Sequence, residues 1–379
     1  MPAKPSITII GAGISGLTLG RTLLQNHGIK ATILEKARKS TNRNNYGITL
    51  YASGYRPLLK ILKVDEQTFK KRVAVDAGIG GTGKLIKNSG DYDESFRVNR
   101  SRLEEMIGEG LDVRWESEVE DVKAEGEKSV VVTVKDREKL ESEIVVGADG
   151  PHSKVRETIA PEVEFKILPF AVYNGRRIVR HEDWEAKRIN ALLEGKVLEQ
   201  RIGSAVFQVS LNDCTKEELN VSYTYSRPAR TKGEDELFRP ERPKNAAREM
   251  PEALFLETGN LREQLEEPFK TVFDPAAMRK DRLLNWLLRT ARVDWEKLNE
   301  AADQGVVLLG DSVHPEPILG GMGANEAIED AIQLAAALSK GSRDSMKQYV
   351  DERYPVWEEG LSVSEVSIED MHSKQRASL

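Results

Sequence analysis

The feature that most constrains the fold is a glycine-rich turn near the start of the chain, Gly11-Ala12-Gly13-Ile14-Ser15-Gly16. It follows a short apolar run at 6–10 and precedes a helical pattern over about 15–25, with a second apolar run at 30–34. This order predicts a strand–helix–strand unit in a parallel sheet. The first glycine permits a tight turn, the second admits a pyrophosphate, and the third lets helix and strand pack closely. The sequence therefore predicts a dinucleotide site at the N-terminus of the first helix.

An acidic residue ends the second predicted strand. Glu35 follows Gly11 at about the spacing at which a carboxylate accepts hydrogen bonds from a ribose in dinucleotide-binding folds. A glycine turn of this form is weak evidence by itself. Here it stands between a strand and a helix and is followed by the acid, so the combination favours a bound dinucleotide over a plain turn.

Two further glycine motifs also follow apolar runs. Gly147-Ala148-Asp149-Gly150 ends one run, although an Asp-Gly pair taken alone is as typical of a plain turn. The stretch 310–325 follows the run 305–309 and precedes a helical pattern over about 324–338. It contains Asp311, whose carboxylate can accept hydrogen bonds from polyol hydroxyls. It also supplies a second helix N-terminus suited to an anion.

The composition excludes several classes of protein. A net charge of −6 and a pI near 5.7 disfavour nucleic acid as a partner. No run of about 18 apolar residues occurs, so no membrane span is expected, and the N-terminal segment lacks the features of a secretory signal. Cys214 is the only cysteine, which excludes an internal disulfide and favours a packed thiol over a catalytic one. A cytoplasmic enzyme is the expectation.

Between these motifs the pattern predicts mostly strands. Residues 117–147 and 163–226 have the character of strands, whereas 275–298 has that of a helix. The stretch 45–95 is glycine-rich and is expected to be irregular. Within it, residues 78–85 nearly match a phosphate-binding loop. Their last position is leucine where a magnesium-binding Ser or Thr is required, so a hairpin is the better interpretation.

Together with Glu35, the three glycine motifs resemble, in order and spacing, those of the single-component FAD monooxygenases related to para-hydroxybenzoate hydroxylase and salicylate hydroxylase. Arg100-Ser101-Arg102-Leu103, at the start of a predicted helix over 101–108, also resembles that family's Arg-x-x-Leu helix start. The likeness covers the flavin-binding parts, about half of the chain. The middle block, about 160–270, resembles the family only in its strand-rich character.

The resemblance implies an α/β fold. It consists of a Rossmann-like FAD-binding domain of the GR2 flavoprotein type, an inserted and mostly antiparallel β-sheet domain for the substrate, and C-terminal helices. The expected FAD-binding domain is discontinuous and comprises residues 1–75, 94–160 and 275–340. The expected substrate domain comprises residues 76–93 and 161–274, and the C-terminal helical segment comprises residues 341–379.

The resemblance also implies how FAD is held, without a covalent bond. The glycine turn and Glu35 hold the ADP half, while Arg100 and Asp311 contact the pyrophosphate or ribityl region. Amides at 323–325 face the pyrimidine edge of the flavin, and Asp149 supports both FAD and a transient nicotinamide nucleotide. The full set of expected cofactor contacts is Gly11, Gly13, Ile14, Ser15, Gly16, Glu35, Lys36, Arg100, Asp149, Asp311, Gly323, Ala324 and Asn325.

The activity that the resemblance implies is monooxygenation. NADPH or NADH reduces the flavin, and dioxygen then forms a flavin hydroperoxide in a site closed to water. One oxygen atom is transferred to a small organic substrate of aromatic, polyketide or terpenoid type, by hydroxylation or epoxidation. A monomer or homodimer is expected. The alternatives are another flavin enzyme of this fold, namely an oxidase, a dehydrogenase or a halogenase, and a nucleotide-binding protein without enzymatic activity.

The sequence gives weaker signals for the substrate side of the site. A cation or proton acceptor beside a phenol would make it more nucleophilic. The candidates in the strand-rich block are Tyr173, Arg176, Arg201, Tyr223 and Tyr225. His152 and His314 are expected to be structural, and no metal is expected, because no other His or Cys has a ligand spacing. The pocket is predicted between residues 310–325 and the strands at about 163–226.

Overall fold

The computed structural model describes residues 4–39, 44–85, 94–125, 129–136, 139–231 and 235–373. The strands within these residues are β1 (Ile7–Ile10), β2 (Thr32–Leu34), β3 (Gly47–Tyr51), β4 (Ser95–Asn99), β5 (Asp112–Arg114), β6 (Val119–Glu125), β7 (Ser129–Val134), β8 (Leu140–Ser142), β9 (Ile144–Gly147), β10 (Lys166–Ile167), β11 (Phe170–Arg180), β12 (Val197–Ile202), β13 (Ala205–Cys214), β14 (Glu218–Pro228), β15 (Arg282–Trp286), β16 (Arg289–Thr290) and β17 (Val306–Leu308). The helices are α1 (Ile14–His27), α2 (Ala52–Leu62), α3 (Glu66–Val73), α4 (Arg100–Gly108), α5 (Lys154–Ile159), α6 (Ala186–Gly195), α7 (Glu252–Leu261), α8 (Phe269–Val272), α9 (Pro275–Met278), α10 (Trp295–Asp303), α11 (Gly323–Ser339) and α12 (Arg343–His372).

The first sheet is parallel and joins distant parts of the chain. Its strand order is β17-β9-β1-β2-β5, and Ile9 of β1 lies between Val146 and Ile33. Every residue of β1 is buried, as expected of a strand that is covered on both faces. Helix α1 connects β1 to β2 and packs against α11. The structure thus confirms the predicted strand–helix–strand unit, and the same sheet also contains β9 and β17 from later in the chain.

The second sheet is antiparallel and is formed mostly by the strand-rich block. Its order is β12-β13-β14-β11-β15. Helices α6 to α9 contribute apolar side chains to the core on one side of this sheet, including Leu192, Leu254, Phe269 and Met278. The opposite side faces the large cavity described below. A mixed α/β fold with an inserted antiparallel sheet and C-terminal helices agrees with the predicted fold class.

The helix predicted over 275–298 is wrong. Only α9 and the start of α10 at Trp295 are helical there, because β15 pairs with β11 and closes the edge of the second sheet. The run Leu283-Leu284-Asn285-Trp286 is apolar and short, and such a run does not distinguish a buried helix from a strand by periodicity. The domain boundaries remain a prediction. Strand β15 falls within the expected FAD-binding segment 275–340 but pairs with β11 in the second sheet.

The prediction that residues 45–95 are irregular is also wrong for the part that the structure describes. It contains β3, α2 and α3. Glycine and Pro57 within α2 make its sequence untypical of a helix. Helix α3 begins after Asp65, whose side chain accepts a hydrogen bond from the Thr68 amide at 2.8 Å. Lys84 forms an antiparallel bridge to Phe96. The rest of the predicted hairpin, 86–93, lies outside the described residues.

The C-terminal region consists of two long helices. Helix α11 follows the third glycine motif, and α12 packs against α10 and α11. The predicted C-terminal helical segment therefore corresponds to the single helix α12 over its described part. Among the described residues, no helix combines the length and the apolar character that crossing a bilayer requires.

Candidate functional site

The first glycine turn is packed so tightly that two of its glycines admit no side chain. Gly11 has φ +110°, and a Cβ there would overlap the carbonyl oxygen of Ala148. A Cβ on Gly16 would overlap the carbonyl oxygen of Gly11. Gly13 is different, because the nearest atom to its Cβ position is Nη2 of Arg100 at 3.6 Å. No described side chain caps α1 at Gly13, so its first N–H groups are open to a ligand.

The carboxylate of Glu35 is fixed at this turn. Its Oε2 accepts a hydrogen bond from the amide of Ala12 at 2.9 Å, and its Oε1 accepts one from the amide of Ala37 at 2.8 Å. The residue is only 3% exposed, yet it lines the cavity. Because Gly11 also donates to the carbonyl oxygen of Leu34 at 2.7 Å, the end of β2 and the glycine turn form one unit.

Two more acids come from the other glycine motifs. Asp149 accepts a hydrogen bond from the amide of Lys154 at 2.7 Å through Oδ2, while its buried Oδ1 has no hydrogen-bond partner among the described residues. Asp311 lies near the guanidinium groups of Arg100 and Arg156. Burial raises the pKa of both carboxyls, and His314, Arg100 and Arg156 oppose that rise at Asp311.

One cavity of about 3110 Å³ joins all three motifs to the second sheet. Eleven of the expected cofactor contacts line it: Gly11, Gly13, Ile14, Ser15, Glu35, Lys36, Arg100, Asp149, Asp311, Gly323 and Ala324. A pocket for one small molecule measures roughly 300–1,000 Å³, so this volume can hold a dinucleotide and a substrate together. The cavity lies where the sequence predicts it, between residues 310–325 and the strands at about 163–226.

The two remaining cofactor candidates lie behind the wall of the cavity. Gly16 is packed against Gly11 and allows the close contact of α1 with the turn. Asn325 fastens α11 to β3, because its Oδ1 accepts a hydrogen bond from the Tyr51 amide at 2.9 Å and its Nδ2 donates to the Thr49 carbonyl oxygen at 3.1 Å. Both residues thus support the site without lining it.

Of the five candidates in the strand-rich block, the structure brings Arg176 to the cavity but not the other four. The hydroxyl of Tyr173 donates to the Leu237 carbonyl oxygen at 3.0 Å, and burial raises its pKa to about 12. The hydroxyls of Tyr223 and Tyr225 donate to Asp281 and Glu257, each at 2.6 Å, and burial raises their pKa values further. Arg201 donates to Glu199 at 2.7 Å. The three tyrosines belong to the core beneath the second sheet.

The reason is the two-residue alternation of side chains along a strand. In β14, Ser222 and Thr224 line the cavity while Tyr223 and Tyr225 point to the opposite side. The side chains that we call the cavity face of the second sheet are Asn174, Arg176, Gln208, Ser210, Asn212, Ser222, Thr224, Leu284 and Trp286. Most of them are polar. Alternation was visible in the sequence, but it does not say which of two registers faces the cofactor.

Two further cavity residues carry no motif and were missed. Tyr46, directly before β3, accepts a hydrogen bond from Nη1 of Arg100, and the guanidinium of Arg176 lies 5.3 Å from the centre of its ring. Arg97 donates to Oγ1 of Thr49 at 3.1 Å, and burial lowers its pKa to about 10. Tyr46 therefore contacts an arginine from each side of the cavity, Arg100 of α4 and Arg176 of the second sheet.

His314 sits in a buried polar network under the third motif. Its Nε2 lies 2.7 Å from Oδ2 of Asp330, which also accepts a hydrogen bond from the Gly310 amide at 3.0 Å. The ring stacks on Trp357 at 5.4 Å. Burial and the neighbouring Glu326 raise the pKa of Glu316 to about 8. Asp330 thus links His314 to the Gly310 amide in the turn that follows β17.

Known proteins with similar sequences and structures fit this site. A family model described as an FAD binding domain matches residues 97–363. FAD-dependent monooxygenase vrtH of Penicillium aethiopicum is 32% identical over 355 residues, covering 88% of this chain and 84% of that protein. FAD-dependent monooxygenase adaC of Aspergillus niger is 30% identical over 401 residues, covering 98% and 94%. The solved 2,6-dihydroxypyridine-3-hydroxylase from Arthrobacter nicotinovorans has a TM-score of 0.74 at 16% identity, covering 98% of this chain and 94% of that one, and shows the fold.

The two sheets and the cavity between them define a flavoprotein with a dinucleotide-binding domain and an inserted sheet. The chain belongs to the FAD-binding-domain family of FAD-dependent monooxygenases. It is an enzyme whose cofactor is FAD and whose reactants are dioxygen, NAD(P)H and a small organic molecule. These findings confirm the family, cofactor and reaction class that the glycine motifs predicted.

Proposed function

We propose that this monooxygenase holds FAD along the three glycine motifs and oxygenates an oxygen-rich organic molecule against the cavity face of the second sheet. The observation that carries the proposal is the single cavity that is lined by Gly13 and Asp311 on one side and by Asn174 and Thr224 on the other. A cofactor and a substrate that share one space can react without leaving it, and reacting atoms must approach to about 3–3.5 Å.

The residues of the glycine motifs bind and orient the cofactor. The amides at the start of α1, beside Gly13, are open toward the cavity and suit the pyrophosphate. Glu35 lines the cavity beside that turn, where its carboxylate accepts hydrogen bonds from ribose hydroxyls. Asp311 and Arg100 contact the pyrophosphate or ribityl region of the cofactor, and the amides at Gly323 donate to the pyrimidine edge of the flavin. The buried Oδ1 of Asp149, without a partner among the described residues, supports a further polar contact there.

The chemistry follows from this arrangement. When bound, FAD would supply the redox chemistry by which two electrons of NADPH or NADH and one proton convert dioxygen into one oxygen atom added to the substrate and one water molecule. The protein excludes water and fixes the distance between the two reactants. The polar side chains of the cavity face, Asn174, Ser210, Ser222 and Thr224, favour hydrogen bonds to a substrate with several oxygen atoms over a purely apolar one. Hydroxylation or epoxidation of such a molecule is the proposed reaction.

The test has two parts. Purified protein reconstituted with FAD is expected to show flavin absorbance at about one cofactor per chain, released by acid because no covalent bond holds it. Oxygen-rich aromatic and polyketide-type compounds are then screened for faster NAD(P)H oxidation under air. We expect at least one compound to accelerate the oxidation and to gain one oxygen atom. An acceleration that persists without oxygen would indicate a dehydrogenase instead. The cytoplasmic location and the state as monomer or homodimer remain predictions.

A further inference from the structure

Three polar side chains converge beneath the start of α11. Nδ1 of His314 lies 3.9 Å from Oε2 of Glu326 and 4.0 Å from Oε1 of Glu316. The three ligand atoms lie within 4.8 Å of one another. The side chains are 2%, 14% and 3% exposed for His314, Glu326 and Glu316. All three atoms are buried and have no hydrogen-bond partner among the described residues, which is rare for buried polar atoms.

The surroundings of His314 determine which of its nitrogens carries the proton. Oδ1 of Asp330 accepts hydrogen bonds from Nε of Arg353 at 2.8 Å and from Nε1 of Trp357 at 2.9 Å. Oδ2 accepts one from the Gly310 amide and faces Nε2 of His314 at 2.7 Å. A carboxylate in this setting is an acceptor, so Nε2 carries the hydrogen. When the ring is neutral, Nδ1 presents a lone pair toward the two glutamates.

With their protons released, these three groups form a cluster of acceptors. Nδ1 of His314 and the oxygens of Glu316 and Glu326 point toward one another, and no donor from another described residue reaches them. A proton shared by the two carboxyls leaves Nδ1 of His314 unsatisfied unless the ring carries a second proton. One water molecule has two hydrogens and would leave one of three acceptors unsatisfied. A single cation can bind all three atoms and also offset the charge of two buried carboxylates.

We propose that His314, Glu316 and Glu326 form a binding site for one divalent transition-metal ion, of which Zn²⁺ and Mn²⁺ are the best candidates. An imidazole with two carboxylates suits these ions. Ligands around an ion with bonds of about 2.1 Å are separated by roughly 3–3.5 Å, so the three atoms would move inward by about 0.5 Å. Carboxylate groups at the ends of flexible side chains can make that movement.

The residues around the cluster have the arrangement that metal ligands require. Asp330 orients the ring of His314 through Nε2, as carboxylates do behind histidine ligands. Oγ of Ser364 donates to the second carboxylate oxygen of Glu316 at 3.0 Å. Gly360 leaves room for Glu326, since a Cβ there would lie 2.9 Å from Oε1. An ion at this place would join the turn after β17 to α11, beside α12.

The experiment uses the full chain with FAD, freed of metal by a chelator and then titrated with Zn²⁺ or Mn²⁺ alone. We expect one ion per chain by elemental analysis, and a higher melting temperature in its presence. Glu316→Gln and Glu326→Gln should each weaken binding at least tenfold. Both keep a polar side chain of the same size, and flavin absorbance verifies that they fold.

The matched control is Glu359→Gln, which removes an exposed carboxylate from α12 next to Gly360 and should leave the affinity unchanged. The proposal is overturned if the wild-type chain binds no ion, or if the two glutamine variants bind as tightly as the wild type. In the first case a shared proton and water fill the cluster, and in the second the ion binds elsewhere. Because the readouts are metal content and melting temperature, a failure here does not touch the proposed oxygenation.

Discussion

The carboxylate of Glu35 accepts a hydrogen bond from the amide of Ala12 at 2.9 Å, and this contact ties the end of β2 to the glycine turn. Its other oxygen accepts the amide of Ala37 at 2.8 Å. Glu35 thus orients the backbone that would meet the pyrophosphate and, in our proposal, also binds the ribose. A change at this residue affects both parts of the ADP half of the site.

We predict that Glu35→Ala weakens FAD binding by about tenfold or more, because hydrogen bonds to a charged group contribute roughly 1.5–3 kcal/mol. Quenching of flavin fluorescence on titration measures the affinity. Glu120→Gln, at an exposed position in β6, is the control and should bind FAD normally. An unchanged affinity in Glu35→Ala would show that the carboxylate holds the backbone of the turn and does not bind FAD.

Alanine substitutions at Gly16 and Gly323 should differ sharply in their effect on FAD binding. Gly16→Ala would drive a Cβ into the Gly11 carbonyl oxygen, so we expect loss of FAD binding and a lower melting temperature. Gly323→Ala meets its nearest atom, Oδ1 of Asp311, at 3.7 Å, an ordinary contact, and should fold and bind FAD. Gly323→Leu should fold but abolish NAD(P)H oxidation by blocking the flavin ring. Full activity in Gly323→Leu would mean that this turn does not face the ring.

Adjacent residues of β14 offer a matched test of the two faces of the second sheet. Thr224→Val removes a hydroxyl from the cavity face, where it accepts a hydrogen bond from Asn174 at 3.0 Å. We expect a KM for the substrate several times higher, because the hydroxyl faces the cavity. Tyr225→Phe removes the hydrogen bond to Glu257 and should lower the free energy of unfolding by about 1–2 kcal/mol with KM unchanged. A raised KM in Tyr225→Phe with an unchanged KM in Thr224→Val would place the substrate on the helix-covered side of the sheet.

The single thiol should be inert in the folded protein. Burial, with the nearby carboxylates of Asp76 and Asp213, raises the pKa of Cys214 to about 11. The reactive thiolate is therefore scarce at pH 8 and increases only as the pH approaches that value. We expect modification by a thiol reagent at pH 8 to be at least about a hundredfold faster after unfolding in guanidinium chloride. Rapid reaction of the native chain would show that the region around β13 opens readily.

The sequence was sufficient to predict the structure at positions where the backbone admits only one residue type. Gly11 and Gly16 are required because no side chain fits, so the turn, the first helix and the parallel sheet could all be predicted. Glu35 directly follows β2, and Asp311 lies in the turn after β17. Each acid could therefore be placed near the cavity from the strand that precedes it. Eleven of thirteen expected cofactor contacts line one cavity as a result.

The substrate side could not be predicted in the same way. Ser222 and Tyr223 are equally compatible with an extended strand, and only the packing of helices on one side of the sheet decides which of them faces the cavity. The apolar run at 283–286 became a strand because β11 offers it a free edge, which is information that lies more than a hundred residues away. Tertiary contacts of this kind leave no local pattern.

The cavity is lined by residues from Ile10 to Ala327, and this spread has a consequence for protein synthesis. A ribosome adds about 5–20 residues per second, so the glycine turn emerges tens of seconds before the strand and helix that complete its pocket. A chain interrupted before β17 has the phosphate turn but lacks Asp311 and the helix beside it. On the proposed assignment of the site, FAD can bind fully only to a nearly finished polypeptide. A chain that ends before β17 should therefore show no absorbance from bound flavin after addition of FAD.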